Sequence, residues 1–293
     1  MLSDHVILTG RRAIAQSFAK LNLTLDVLGR REDGYHGVKM IMQTVSLFDL
    51  VLVDREDSGI SIKTNLKFLP TNEKNLAYKA AREFFAASGI DAGCRIMIHK
   101  NIPVAAGLAG GSGNAAAVLA SLNLLYNTGF SNDELCEIGV KLGADVPYCI
   151  LGGTYLAEGI GEVLTPLPPM PRCTILIVKP AVNVSTAAIY DAIDNTDITR
   201  RPDTDAMIKA LANGDVPAIA SGLSNVMGSV TEKMHPIVRG IKEKMLKNGA
   251  LGAEMSGSGP TVFGIFPDYA SAKRSHDSFA YQFRDVFIVN PIS

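Results

Sequence analysis

The chain has 293 residues, of which 47% are hydrophobic and 19% charged, and its formal net charge is -1. That profile fits one long or two ordinary globular domains and argues against the basic footprint of a nucleic-acid binder. Four scattered cysteines (Cys94, Cys136, Cys149, Cys173) without CxxC spacing argue against a zinc site or disulfide framework, and no apolar run reaches the length of about 18 residues that a membrane span needs.

The amino-terminal "MLSDHVILTGRR" lacks the charged region and apolar core of a signal peptide. With free thiols and no membrane segment, a cytoplasmic protein is expected. From Ala13 to Gly29, Leu21, Leu23, Leu25 and Val27 share one parity, which predicts a strand with one buried face. "REDGYHGVKM" reads as a turn at Asp33-Gly34, and "VSLFDLVLVD" and "ISIKT" as further strands. Leu76, Ala80, Phe84 and Ala87 recur at helical spacing, so a helix is predicted over Thr71 to Ser88, stopped by Gly89. "CRIMIHKNIP" is a strand that runs into Pro103.

A helix ending near Asn127 follows the glycine loop, and Ser131 with Glu134 forms a capping-box signature for the next. "PLPPMPR" is the best linker. Beyond it, "TILIVKP", "TVFGIF" and "VFIVN" read as strands. Helices are predicted over Thr186 to Ile193, Thr204 to Ala212 and His235 to Asn248. Strands and helices mix without steady βαβ alternation, which predicts an α+β fold with one part at 1–165 and another at 166–293.

The stretch Pro103-Val104-Ala105-Ala106-Gly107-Leu108-Ala109-Gly110-Gly111-Ser112-Gly113 carries the clearest chemistry. Side-chain-poor backbone lets N–H groups approach an anion, and the following helix adds its open amino-terminal N–H groups and positive dipole end. Together these make a phosphate site, to which Ser112 can add a hydroxyl. A plain tight turn that lets a helix pack closely is the competing reading. Neither the P-loop nor the Rossmann pattern matches, since no lysine follows the glycines and the loop lies a third of the way along the chain.

Three other stretches accompany it: "SFAKLNLTLDVLGRREDGYHGVKMIMQTV", "LGADVPY" and "MSGSGPTVFGIF". In this order the four resemble the GHMP kinase superfamily. "AKLNLTLDVLGRREDGYH" and "GADVPYCILGGTYLAEGIGE" are similar to the branch that acts on cytidine diphosphate-linked polyols in the non-mevalonate isoprenoid route. The resemblance covers nearly the whole chain. It implies a two-lobed fold, with an ATP-binding amino-terminal lobe like ribosomal protein S5 domain 2 and a ferredoxin-like, substrate-binding carboxyl-terminal lobe. It also implies ATP with Mg²⁺, a cytidine diphosphate-linked polyol as small-molecule substrate, no nucleic-acid or membrane partner, and a monomer or weak homodimer.

By that resemblance Asp145 is the base that takes the acceptor's hydroxyl proton, and Lys20 keeps it ionised and stabilises charge on the transferred group. Asn22, two residues on, shares Lys20's face of the strand and contacts substrate. Tyr35 and His36 resemble the cytosine-recognition pair, and Tyr190, one helical turn from Thr186, matches the other side of the cytosine sandwich. Asn75 and Lys100 match positions near the adenine pocket. Gly257 and Gly259 either close a turn over the site or form a packing turn. No dedicated metal cage is expected, and His5, His99, His235 and His276 show no ligand spacing.

The loop departs from the family's usual G-L-G-G-G-S-S-N at Ala109 and Gly113. Ala109 is harmless if its backbone is near-helical. Gly113 removes a hydroxyl. A GHMP kinase for another alcohol, such as mevalonate or homoserine, is the first rival, but it has no use for a base-stacking pair. A silent nucleotide-binding relative is the second, and the presence of both Lys20 and Asp145 argues against it.

Overall fold

The computed structural model describes residues 2–293, and its contacts divide the chain into two compact units. The first comprises residues up to Ala19, Leu47–Val104 and Ala109–Gly152; the second comprises Lys20–Ser46, Ala105–Leu108 and Gly153–Ser293. The units are discontinuous in sequence because two long strands, β2 (Arg12–Arg30) and β3 (His36–Glu56), each contribute to both.

In the first unit, β1 (Val6–Thr9), β2, β3, β5 (Gly93–His99) and β4 (Ile60–Thr64) lie side by side in that order. β4 runs parallel to β5, and the β1–β2 and β3–β5 pairs are antiparallel. Helices α1 (Leu76–Ser88), α2 (Gly110–Tyr126), α3 (Asn132–Val140) and α4 (Asp145–Leu151) belong to the same unit. Its core joins Val51, Val53, Ile96 and Ile98 of the strands to Ala80 and Phe84 of α1 and to Ala115–Leu119 of α2. The run of alanines in α2 has an energetic logic: alanine has the best helix propensity and loses no side-chain entropy, so a helix buried all round can pack tightly.

The predicted helix over Thr71 to Ser88 begins at Leu76. Asn75 caps it, its side-chain oxygen accepting the Ala77 N–H at 3.0 Å, while Gly89 closes it in the left-handed region at φ 66°. The Ser131–Glu134 capping box forms as expected. Helix α4 was not anticipated. Pro147 sits in its first turn, where a missing N–H costs nothing, and seven residues are too few to show a period.

Asp54 ties β2 to β3 within this unit, accepting from Arg12 Nε at 2.5 Å and Nη2 at 2.9 Å and from Arg95 Nε at 3.3 Å. The Arg12 hydrogen bonds hold its carboxyl below the ordinary 3.8. A depressed value favours the ionised form in the fold, so the stabilisation is present above pH 3.8 and is lost as pH falls through the folded-state value. Asp54→Asn therefore lowers the urea midpoint at pH 7, and the gap to the parent closes in acid; a gap independent of pH would disprove the charge pairing.

In the second unit, β8 (Thr174–Lys179), β10 (Gly252–Met255), β11 (Val262–Phe266) and β12 (Asp285–Val289) form an antiparallel sheet in the order β10-β11-β8-β12. With α9 (Pro236–Lys247) before β10 and α10 (Tyr269–Ala280) before β12, the succession is the ferredoxin-like βαββαβ. Between β8 and α9 lie α5 (Thr186–Asp194), α6 (Thr204–Ala212), α7 (Val216–Ser221), the short β9 (Ser224–Asn225) and α8 (Val226–Met234). β6 (Thr154–Glu158) pairs with β3 and with β7 (Val163–Pro166), while β9 runs parallel to β2 at Thr24 and Leu25.

The expectation of one buried face on β2 holds only for its first half. From Ala19 to Val27 every residue is buried, including Lys20, Asn22, Thr24 and Asp26. The polar parity is therefore internal, and its groups need partners. Thr24 Oγ1 accepts the Ile41 N–H at 3.1 Å, and Asp26 accepts from Arg201 Nη1 at 2.5 Å. The turn ahead of β3 is also shorter than predicted, because the strand begins at His36.

Candidate active site

Within the glycine segment, Ala105–Leu108 belong to the second unit. There the Leu108 carbonyl accepts the Lys20 N–H at 3.2 Å, and the Gly107 carbonyl accepts the Ser256 hydroxyl at 3.0 Å. Ser256 Oγ also accepts the Asn22 N–H at 3.3 Å. One fully buried hydroxyl thus joins the strand bearing Lys20 and Asn22 to the glycine segment. Asn225 steadies the turn that carries Ser256, donating from Nδ2 to the Met255 and Gly257 carbonyls, each at 2.8 Å.

From Ala109 onward the segment belongs to the first unit. Helix α2 starts at Gly110 without a side-chain cap, and its first internal bond runs from the Gly113 N–H to the Ala109 carbonyl. The N–H groups of Gly110, Gly111 and Ser112 precede that bond, at the positive end of a 17-residue helix. Such an end takes an anion.

Ala109 is not near-helical. It lies at φ 54°, ψ 24°, in the left-handed region where an L side chain costs roughly 1–2 kcal/mol. Ala105 shares that conformation at φ 51°. Ala109→Gly relieves the clash and, after glycine's larger unfolded-state entropy, raises stability by about 0.5–1 kcal/mol in a denaturant titration. An unchanged or lower midpoint would show that Ala109 is unstrained. The missing hydroxyl at Gly113 also has a structural reason: a Cβ there would lie 2.7 Å from Ser17 Oγ and 3.2 Å from the Phe18 carbonyl oxygen.

Lys20 and Asn22 come together as their shared parity implies, with Lys20 Nζ donating to Asn22 Oδ1 at 2.7 Å. Lys20 is 5% exposed, and among the described residues no carboxylate pairs with its ammonium. Asp145 opens α4, half-buried in the first unit, and α4 packs on α2. Among the described residues its carboxylate accepts no hydrogen bond and forms no ion pair, so it is not serving as a helix cap.

In the second unit the His36 ring stacks on Tyr190 with centroids 4.5 Å apart and planes 18° from parallel. His36 Nε2 lies 2.8 Å from Asp194 Oδ1. A base inserted between His36 and Tyr190 needs roughly twice a stacking distance, so those two rings cannot flank it as they stand. Tyr35 is 61% exposed beside them in sequence. Thr186, at the start of α5, has its hydroxyl 2.8 Å from that of Ser258.

Asn75 and Lys100 serve the framework of the first unit. Besides capping α1, Asn75 donates from Nδ2 to the Pro70 carbonyl at 2.8 Å. Lys100 Nζ is buried between Asp49 and Asn114. Burial pushes the Cys94 and Cys173 thiols up to about 12 and Cys136 to about 11, and all four cysteines are free thiols.

Asp49, Asp194, Asn225, Ser256 and Ser258 were not singled out from the sequence. A signal for Asp49 was available: it shares the parity of Leu47, Val51 and Val53 in "VSLFDLVLVD", a charge on the core face of a strand. Asn225 caps α8, accepting the Met227 N–H at 2.9 Å, which a capping signal could have marked, whereas nothing local distinguishes Asp194, whose partner His36 lies far along the chain.

The profile of the GHMP kinases N terminal domain matches residues 75–153, and that of the GHMP kinases C terminal matches residues 207–285. The chain belongs to the GHMP kinases, enzymes that use ATP as phosphoryl donor. A 4-diphosphocytidyl-2-C-methyl-D-erythritol kinase of Alkaliphilus metalliredigens is 50% identical, the match covering 95% of this chain and 96% of that one. One of Clostridium novyi is 47% identical over 94% and 99%. A crystal structure of 4-(cytidine 5'-diphospho)-2C-methyl-D-erythritol kinase superposes with a TM-score of 0.83 at 32% identity, covering 96% of this chain and 99% of that one. Within the GHMP kinases, the family is therefore that of the 4-diphosphocytidyl-2-C-methyl-D-erythritol kinases. Mevalonate kinase of L. major, at TM-score 0.72 and 15% identity over 98% and 97% of the two chains, shares the fold.

Proposed function

We propose that the chain transfers the γ-phosphoryl group of ATP to the 2-hydroxyl of 4-diphosphocytidyl-2-C-methyl-D-erythritol, in the non-mevalonate isoprenoid route. The observation that carries this is Lys20, whose main chain is bonded to the glycine segment at Leu108 and whose buried ammonium meets Asn22 and no carboxylate among the described residues. In the proposed step the acceptor oxygen forms a bond to the γ-phosphorus, the bond to the ADP oxygen breaks, and Asp145 takes the hydroxyl proton. Lys20 offsets negative charge on the transferred group, and Asn22, already bonded to it, orients the polyol.

On the donor side, the open N–H groups of Gly110, Gly111 and Ser112 hold the polyphosphate. No group of three or more potential metal-ligating His, Cys, Asp or Glu side chains occurs among the described residues. Mg²⁺ would arrive with ATP, bound chiefly by phosphate and water, and the Ser112 hydroxyl could serve as a protein ligand. When bound, Mg²⁺ neutralises polyphosphate charge. Asn75 and Lys100 shape this side through α1 and the base of α2.

On the acceptor side, Tyr35 covers one face of cytosine and Tyr190 the other, with His36 held at the ring edge by Asp194. The acceptor-side residues Asn22, Tyr35, His36, Thr186 and Tyr190 all fall in the second unit, so substrate binding draws on part of 1–165 as well as on 166–293. The free thiols support a cytoplasmic setting, and no helix among the described residues is long and apolar enough to cross a membrane.

The test is ADP release and product analysis with purified protein and ATP against a panel of alcohols. Turnover is expected with the cytidine diphosphate substrate and not with bare methylerythritol phosphate, mevalonate or homoserine. Preference for any of the last three would overturn the assignment.

A further inference from the structure

We propose that Asp49 is a positioning residue for the phosphate loop, pinning both ends of the glycine segment through one buried carboxylate. This rests on the reading of that segment as the site for ATP phosphate. Asp49 has no exposed surface, and a carboxylate withdrawn from water must be met by donors. Its Oδ1 accepts the N–H groups of Asn101 at 2.7 Å and Ile102 at 2.8 Å, just ahead of Pro103. Its Oδ2 accepts from Asn114 Nδ2 at 2.9 Å, in the second turn of α2, and from Lys100 Nζ.

The contacts therefore bracket residues 103–113, entering at one oxygen and leaving at the other. The bracketed stretch does not hold its own shape by preference, because Ala105 and Ala109 both sit in the left-handed region. Lys100 extends the clamp. Its Nζ donates to Asn114 Oδ1 at 3.0 Å and lies so close to Gly110 that a Cβ there would be 3.0 Å from it. Asn114 in turn donates to Ser17 Oγ at 3.1 Å. Asp49 thus sets the position of a cation against the first residue of the helix whose N–H groups receive phosphate. A purely structural ion pair would affect folding alone; a clamp on the loop also sets ATP affinity in the folded protein.

The experiment measures Kd for a fluorescent ATP analogue, KM for each substrate and the unfolding midpoint. The variants are Asp49→Asn, Asn114→Ala, the exchange Asp49→Asn with Asn114→Asp, and Gly111→Ala. Asp49→Asn turns an acceptor into a donor facing Lys100, and Asn114→Ala cuts the ties of Asp49 and Lys100 to the helix together with the bond to Ser17. Each is expected to weaken nucleotide binding about tenfold in folded protein while leaving acceptor KM near that of the parent. The exchange keeps a carboxylate beside Lys100 and reverses the Asn–Asp bond, so it is expected to recover most of the affinity. Should Asp49→Asn fail to fold, Asn114→Ala decides, since it leaves the other three donors to Asp49 in place. A folded Asn114→Ala with parental affinity, or an exchange that recovers stability but not affinity, would overturn the role of Asp49. Gly111→Ala separates the two claims: a Cβ there meets only Leu76 Cδ1, at an ordinary 3.7 Å. If Gly111→Ala weakens nucleotide binding and Asn114→Ala does not, Asp49 alone is dismissed; if Gly111→Ala has no effect, the phosphate-site reading falls and this inference with it.

Discussion

Asp145→Asn is expected to lower kcat by about 10²–10⁴-fold while ATP affinity and the unfolding midpoint stay close to those of the parent. The size follows from losing a positioned base in a reaction that otherwise relies on placement and charge neutralisation. The selectivity follows from the structure. Among the described residues the carboxylate has no hydrogen-bond or ion-pair partner, so an amide of the same shape breaks no internal contact at the start of α4. Large losses of stability come from broken networks, cavities or strain, and this exchange causes none of them. Single-turnover kinetics with saturating ATP, run beside a melting curve, checks both halves. Retained turnover would remove Asp145 from the proton path, and collapse of the fold would show it to be structural.

Gly107→Ala is expected to cost about 3–5 kcal/mol of stability and at least about a hundredfold in kcat/KM. Gly107 lies at φ +71°, where a side chain is strained before any neighbour is considered. A Cβ would also lie 2.2 Å from the Ser256 carbonyl oxygen and 3.3 Å from the Gly259 nitrogen. Both obstacles are main chain, so no rotamer change relieves them. The turn at 255–259 would have to retreat, and the Ser256 hydroxyl would then release the Gly107 carbonyl and the Asn22 N–H together. Chemical denaturation and steady-state kinetics report the two effects. A variant as stable as the parent would mean that the turn shifts freely and does not fix the loop.

Much of this was legible in the sequence, for identifiable physical reasons. Alternation in "LNLTLDV" marks a strand, and S-x-x-E marks a helix start, because local geometry alone dictates both. The segment 103–113 stands out in the sequence because its glycines and alanines leave the backbone almost bare ahead of a helix. Burial of Lys20 and Asn22 was not, since it depends on what covers the polar face of β2 after the chain folds. The short β9, which pairs with β2 at Thr24 and Leu25, comes from some 200 residues later. The same limit explains Ala109: whether an alanine is strained is a matter of φ, which composition does not reveal. His36 and Tyr190 were each singled out, but their direct stacking was not foreseen, because it depends on where α5 lies within the second unit.

The close approach of Ser17 to Gly113 makes the order of evolutionary change matter. A serine arriving at 113 while Ser17 remains would collide with that hydroxyl, whereas shrinking residue 17 to alanine first opens the space. The two positions are therefore sterically coupled although 96 residues separate them, so what residue 113 can be depends on what stands at 17.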